Sequence, residues 1–243
     1  MILFTQMLFI SPPFGNYIHL PKTLSIKGSY TLEPRNGLFS QIIKTFRYSF
    51  LHKGWVNKIG LRNNGLQWGL SNYNPNSDII SIAILHEKEI PKILDILPED
   101  TNIELNISCP NVKESLIHNS LSVFINKKRK WCIIKLSPVT DITLVKKYYY
   151  QGFRQFHCSN TLPIKEGGLS GENIIPHSLK LIKDIKSNFK DIEIIGGGGI
   201  YNMNTYNKYK DAGADHSSVS TLFLYPISLI KFYRFYIFKN YKS

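Results

Sequence analysis

The sequence predicts an α/β protein: one domain over residues 1–243, folded as a single (β/α)8 TIM barrel. The first βα unit is shortened, and a long insertion follows the second strand. Three observations lead there. Eight short apolar runs recur along the chain. Helical periodicity fills most of the later intervals between them. Polar groups gather just after the runs, where barrel enzymes carry their active loops.

The runs, in order, are residues 7–11, 24–27, 79–84, 103–108, 132–136, 153–158, 192–195 and 217–220. Between the first and second, Pro12, Pro13 and Pro21 leave little room for a helix, so the first unit is trimmed. Residues 28–78 form the insertion, with a helical stretch at 39–50. So long a connection is usually functional. Further on, Ile90, Ile93, Leu94 and Leu97 follow the i, i+3, i+4, i+7 pattern of a buried helix face. Helices are expected likewise around Ile117, Leu121, Phe124 and Ile125. Others run through Ile142, Val145 and Tyr149, through Leu179, Ile182, Ile185 and Phe189, and through Met203, Tyr206 and Lys210. An open doubly wound sheet is disfavoured, because no G-x-G-x-x-G follows the first strand.

Hydrophobic residues make up 43% of the chain, enough for a large core. Cys109, Cys132 and Cys158 show no paired spacing. That argues against a disulfide framework and a metal-binding C-x-x-C, and for a reducing, cytoplasmic setting. The net charge of +13 is spread along the chain, with one run at Lys127-Lys-Arg-Lys130. The run is expected at a helix C-terminus, where cations are favoured. Solvated surface accounts for the charge better than a nucleic-acid partner. No membrane span is expected. The apolar stretch at 2–10 is too short, and 222–238 is interrupted by Pro226, Lys231 and Arg234. That last stretch should be a helix packed on the core.

The fourth run carries the chemistry. Ile103, Leu105 and Ile107 alternate with Glu104 and Asn106, and the strand stops at Ser108-Cys109-Pro110-Asn111. A thiol is thus flanked by two carboxamides, which orient planar polar rings. An ordinary buried cysteine at a strand–turn junction has the same signature. Lys135 lies near the end of strand five and suits a cofactor that becomes anionic. A lysine snorkelling at the barrel rim reads the same way. Gly196-Gly-Gly-Gly-Ile200 after strand seven and Gly167-Gly-Leu-Ser-Gly171 after strand six could bring bare backbone N–H groups to a phosphate. Each alone could be a tight turn.

These pieces, in this order, resemble the FMN-dependent catalytic barrel of the dihydroorotate dehydrogenases over about residues 10–222. The most specific are Leu105-Asn-Ile-Ser-Cys-Pro-Asn111, Lys27-Gly-Ser-Tyr-Thr-Leu-Glu-Pro-Arg35 and Asn57-Lys-Ile-Gly-Leu-Arg-Asn-Asn-Gly65. Ile134-Lys-Leu-Ser, Ser159-Asn-Thr161 and the two glycine turns support them. The resemblance implies oxidation of dihydroorotate to orotate in pyrimidine biosynthesis. Cys109 would take a proton from C5, as in the soluble, cysteine-base class, while C6 gives a hydride to flavin N5. Lys27 would be a catalytic lysine between substrate and flavin. Asn57, Asn106, Asn111 and Asn160, with Thr161, would hold the pyrimidine. The backbone of Ile59, Gly60 and Leu61 would receive its carboxylate. Lys135 would sit at the flavin's polar edge. Ser11, Gly28, Ser29, Gly171, Gly198, Gly199, Ser220 and Thr221 would contact the rest of FMN. A homodimer is also implied.

The chain departs from the family in its trimmed start, in its length, and in Ser220-Thr221 where the family has Gly-Thr. The added side chain is expected to crowd the phosphate. Two rival readings follow from the same residues. One is a flavin barrel acting on RNA, similar to the dihydrouridine synthases, which share an Asn-x-x-Cys-Pro strand end. The other is a barrel that binds FMN or phosphate without turnover.

Overall fold

The computed structural model describes residues 6–107 and 120–241. Eight parallel strands close into a barrel. In chain order they are β1 (Leu8–Ile10), β2 (Thr23–Tyr30), β5 (Asp78–Ile82), β6 (Ile103–Asn106), β7 (Cys132–Lys135), β8 (Gln155–Cys158), β11 (Glu193–Gly197) and β12 (His216–Val219). Each pairs with its sequence neighbour in the barrel, and β12 closes the ring on β1. All eight expected strands are present, in order. They read as nearly continuous apolar runs because both faces are covered; every residue of β5 is buried.

Alternation sorts the side chains. Phe9, Ile26, Ile79, Ile133 and Ile195 point inward and, with Trp131, plug the barrel. Phe9 meets Trp131 edge-to-face at 5.2 Å. Residues of the other parity, such as Ile80, Leu105, Ile134, Phe156 and Ile194, belong to the outer core under the helices. Below the plug a polar layer seals the N-terminal end. Glu193 accepts from His216 Nε2 at 2.5 Å and from Gln155 Nε2 at 2.6 Å.

Among the described residues the longer helices are α1 (Leu38–Thr45), α2 (Leu66–Ser71), α3 (Ile90–Ile96), α4 (Ile142–Tyr150), α5 (Ile175–Asn188), α6 (Met203–Asp211) and α7 (Pro226–Tyr241). The carboxylate of Asp141 caps α4 by accepting from the Thr143 N–H at 2.7 Å. Asn202 does the same for α6, 2.9 Å from the Thr205 N–H. The C-terminal stretch is a helix on the core, as expected: Phe232 and Tyr236 of α7 are buried, and each ring meets Tyr206 of α6.

Four features differ from the expectations. A second, antiparallel sheet exists, ordered β3 (Arg47–Ser49), β4 (Gly54–Asn57), β10 (Gly167–Ser170) and β9 (Leu162–Ile164). The expected helix at 39–50 therefore stops at Thr45. Aromatic packing favours the strand that follows: Phe46 stacks on Trp55 at 4.8 Å, and Tyr48 meets the same ring edge-on at 5.5 Å. Second, β2 runs on past Lys27 to Tyr30, with a register shift between them. Third, within the stretch 117–125, where a helix was expected, Ser120 is helical and a 3-10 turn, Leu121–Phe124, follows it; Ile117 lies outside the described residues. Fourth, the basic run 127–130 therefore follows that turn rather than ending a helix. There Lys128 pairs with exposed Glu99 at 2.5 Å, and Arg129 donates to the Thr101 carbonyl at 2.7 Å.

The first unit is short, as expected. A 3-10 turn at Phe14–Asn16 replaces the helix. The Asn16 carboxamide clamps Gly28, accepting from its N–H at 2.7 Å and donating to its carbonyl at 3.4 Å.

Candidate active site at the carboxyl ends of the strands

A cavity of about 950 Å³ opens at the carboxyl ends of the barrel strands. That is at the upper end of the range for small-molecule sites. Its walls come from Ser11, Gly28 and Ser29 near the ends of β1 and β2, and from Asn106, Lys135, Ser159, Asn160 and Thr161 after β6 to β8. Gly198, Gly199, Ser220 and Thr221 line it after β11 and β12. The second sheet adds Trp55, Asn57, Gly167, Gly168 and Ser170, so the unexpected sheet forms part of the same wall. Ile59, Gly60, Leu61 and Gly171 line it too.

Nearly all the described residues expected at the site thus meet in one cavity. Cys109 and Asn111 lie outside the described residues. Lys27 is a correction. It lies on β2 between inward-facing Ile26 and Gly28, so strand alternation turns it out of the barrel. Its ammonium pairs with the buried Asp78 carboxylate at 2.7 Å and donates to the Asn72 carbonyl at 2.8 Å. It does not line the cavity, and the role of catalytic lysine is withdrawn.

Ser29 takes part instead. Its hydroxyl is 2.8 Å from Ser81 Oγ and accepts from Asn106 Nδ2 at 2.8 Å. Asn160 Nδ2 donates to Asn106 Oδ1 at 3.1 Å, and the Thr161 N–H donates to Asn160 Oδ1 at 2.9 Å. The two carboxamides are thereby held in one orientation. In the 57–65 loop, Asn57 Oδ1 accepts from the Ile59 N–H at 3.4 Å. Asn63 anchors the loop, accepting from the Thr31 and Gly65 N–H groups at 3.2 and 2.8 Å.

Lys135 lies in the wall with its Nζ 3.4 Å from Glu104 Oε1. Burial alone would raise the Glu104 pKa. Lys135, His157 and two hydrogen bonds outweigh it and bring the value down to about 2. Glu104 is therefore a carboxylate. His157, fully buried and 2.6 Å from Glu104, is pushed below the usual histidine range, chiefly by that burial. Glu104 and His157 escaped the sequence reading. The signal for Glu104 was its parity, since it shares a strand face with Asn106. His157 shares its face with Ser159 in the same way.

Gly198 and Gly199 form a turn in the cavity wall where the surrounding chain leaves no space for a side chain. A Cβ on Gly198 would come 2.7 Å from Ile174, and one on Gly199 would come 2.7 Å from the Gly171 carbonyl oxygen. Both have positive φ, +98° and +68°, which glycine adopts without strain. Backbone can thus approach a bound group closely at this end of the cavity. Ser220 does not stand in isolation beside it: its hydroxyl donates to the Pro12 carbonyl at 2.9 Å. Ser11 Oγ, also in the wall, is buried with no partner among the described residues.

A closed parallel barrel with a cavity at its carboxyl-terminal face, its apolar walls set with convergent polar groups, defines an α/β-barrel enzyme. The sequence model of the dihydroorotate dehydrogenase family matches residues 23–230, and the chain belongs to that family. It is 32% identical over 202 residues to the catalytic subunit of dihydroorotate dehydrogenase B (NAD(+)) from Oceanobacillus iheyensis, covering 69% of this chain and 66% of that one. The corresponding subunit from Streptococcus pneumoniae is 31% identical over 243 residues, covering 84% and 75%. A crystal structure of the dihydroorotate dehydrogenase of Eimeria tenella, in complex with ferulenol, superposes with a TM-score of 0.74 at 16% identity. It covers 92% of this chain and 78% of that one, a likeness of fold.

Proposed function

We propose that the protein oxidises dihydroorotate to orotate with FMN bound in the cavity. One observation carries the reading. The carboxamides of Asn57, Asn106 and Asn160, the 59–61 backbone, Lys135 and the Gly198–Gly199 turn all line a single cavity in a chain of this family. FMN fits the donor set: bare glycine backbone in the cavity wall for a phosphate, and a lysine in the wall for the polar edge of the ring. When bound, it would supply the acceptor for the hydride that leaves C6 of the substrate.

The residues of the chain do the rest. Asn57, Asn106 and Asn160, with Thr161, hold the pyrimidine ring in one orientation. Fixing reactants in this way can supply several kcal/mol of a barrier, up to roughly 7–11. The backbone at Ile59, Gly60 and Leu61 receives the carboxylate. Cys109, outside the described residues, is the base that takes the C5 proton. Ser11, Gly28, Ser29, Gly171, Ser220 and Thr221 line the remainder of the cofactor's place. Support for a single orientation of the ring comes from the Ser29–Asn106–Asn160–Thr161 chain of hydrogen bonds.

The test is the visible spectrum of the purified protein, before and after anaerobic addition of dihydroorotate. A yellow protein that bleaches is expected. Cys109→Ala should stay yellow and bleach at least ~100-fold more slowly, the scale of a lost general base. A colourless protein that fails to take up added FMN would overturn the proposal. So would a flavin that dihydroorotate leaves oxidised.

A further inference from the structure

Glu104 sits inside the barrel at the centre of a hydrogen-bonded chain that reaches the cavity on two sides. The direction of every bond in it can be worked out. A carboxylate only accepts. The Ser81 hydroxyl therefore gives its proton to Glu104 Oε1, 2.8 Å away. Having spent that proton, Ser81 must accept from Ser29 at 2.8 Å. Ser29 in turn accepts from Asn106 Nδ2, which leaves Asn106 Oδ1 to accept from Asn160. The chain ends at the Thr161 N–H, which can only donate. This arm runs from an obligate acceptor to an obligate donor, so its polarity has one solution.

The other arm starts at Glu104 Oε2. His157 Nδ1, 2.6 Å away, must carry a proton. Burial of the ring keeps it neutral, so Nε2 is bare. Ser218 Oγ, 2.7 Å from Nε2, therefore donates to it. Ser218 lines the cavity, and with its proton committed it offers a bound molecule lone pairs alone.

We infer that Glu104 is a positioning residue that sets the donor and acceptor polarity of the cavity floor. Through Ser81 and Ser29 it orients the Asn106 and Asn160 carboxamides. Through His157 it makes Ser218 an acceptor, matched to an N–H or O–H of the bound molecule. The part concerning substrate rests on the function proposed above; the polarity of the chain does not.

Glu104→Gln makes a definite prediction. Thr161 still holds the carboxamide arm in its direction, so the new amide oxygen must face Ser81. The amide NH2 then faces His157, whose Nδ1 must accept, and the ring proton moves to Nε2. The experiment is long-range 1H–15N spectroscopy of 15N-histidine-labelled protein at pH 7. The His157 signals are assigned by their loss in His157→Gln. In the wild type the ring should be neutral with its proton on Nδ1; in Glu104→Gln the proton should be on Nε2. A wild-type ring protonated on Nε2 or on both nitrogens overturns the inference, as does an unchanged tautomer in a folded Glu104→Gln variant.

Ser81→Ala cuts the carboxamide arm alone and gives an independent reading if Glu104→Gln fails to fold. It should weaken orotate binding by ~10-fold, the scale of one lost hydrogen bond, with the His157 tautomer unchanged. Full orotate affinity in Ser81→Ala would overturn the substrate arm. A wild type that binds FMN but no orotate would instead refute the proposed function, while the tautomer result still decides the polarity of the chain.

Discussion

Glu104 shows how much one buried charge can ask of its neighbours. Its carboxylate is fully buried, and Lys135 is the nearest cation at 3.4 Å. Removing one partner of such a pair leaves the other uncompensated, at a cost of roughly 3–5 kcal/mol. Lys135→Met should therefore lower the urea-unfolding free energy by about that amount. Adding Glu104→Gln should recover most of the loss, and a double-mutant cycle reads the coupling. The same residues give stability a pH dependence. His157 takes up a proton near pH 6.5 when unfolded and resists until lower pH in the fold. Below about pH 6.5 the unfolded chain therefore binds more protons, and stability falls. Glu104 acts in the same direction: its contribution is full above pH 4.5 and is lost as pH falls toward 2. Melting temperature should decline from pH 7 to pH 4, and His157→Gln should flatten the upper part of that decline. Cys158 is buried and Cys132 partly buried, and loss of solvent raises both thiol pKa values, to about 12 for Cys132. Neither is suited to act as a base, which is consistent with the proposal that Cys109 takes that role.

At the scale of the element, the turn after β11 is sensitive to substitution. Gly199→Ala would place a Cβ 2.7 Å from the Gly171 carbonyl oxygen at a φ of +68°. The conformation alone costs roughly 1–2 kcal/mol. We expect a lower melting temperature together with weaker FMN uptake, the second measured by fluorescence titration. Ser220 follows the neighbouring strand β12, and its hydroxyl is tied to Pro12. Ser220→Gly should therefore release that tie and leave FMN affinity within a few-fold of the parent.

For the whole molecule, the barrel and the second sheet differ in what holds them. The barrel strands are closed on themselves and buried on both faces. The second sheet has strands of three or four residues, and Phe50 and Leu51 beside it are 87% and 84% exposed. Local opening costs least where few apolar contacts must be broken. Hydrogen exchange should therefore run faster in β3, β4, β9 and β10 than in β5 to β8. Equal protection in both would show that the sheet opens only with the barrel.

The sequence by itself determined the eight-stranded barrel, because each strand is a local apolar run and each crossover helix a local 3.6-residue period. The family resemblance singled out the carboxamides and glycines, and barrel topology brings the described ones to one face. Tertiary structure alone decided the rest. The second sheet depends on pairs such as Asn57 with Gly168, which lie far apart in sequence and leave no periodic trace. Lys27 follows a motif, yet its direction depends on strand parity, and Asp78 waits on the outside to pair with it. Glu104 and His157 sit in runs that read as core strands. Only closure of the barrel brings a carboxylate of β6 to an imidazole of β8 and a serine of β12, because a hydrogen-bonded chain needs angstrom-scale contact that no spacing in a sequence encodes.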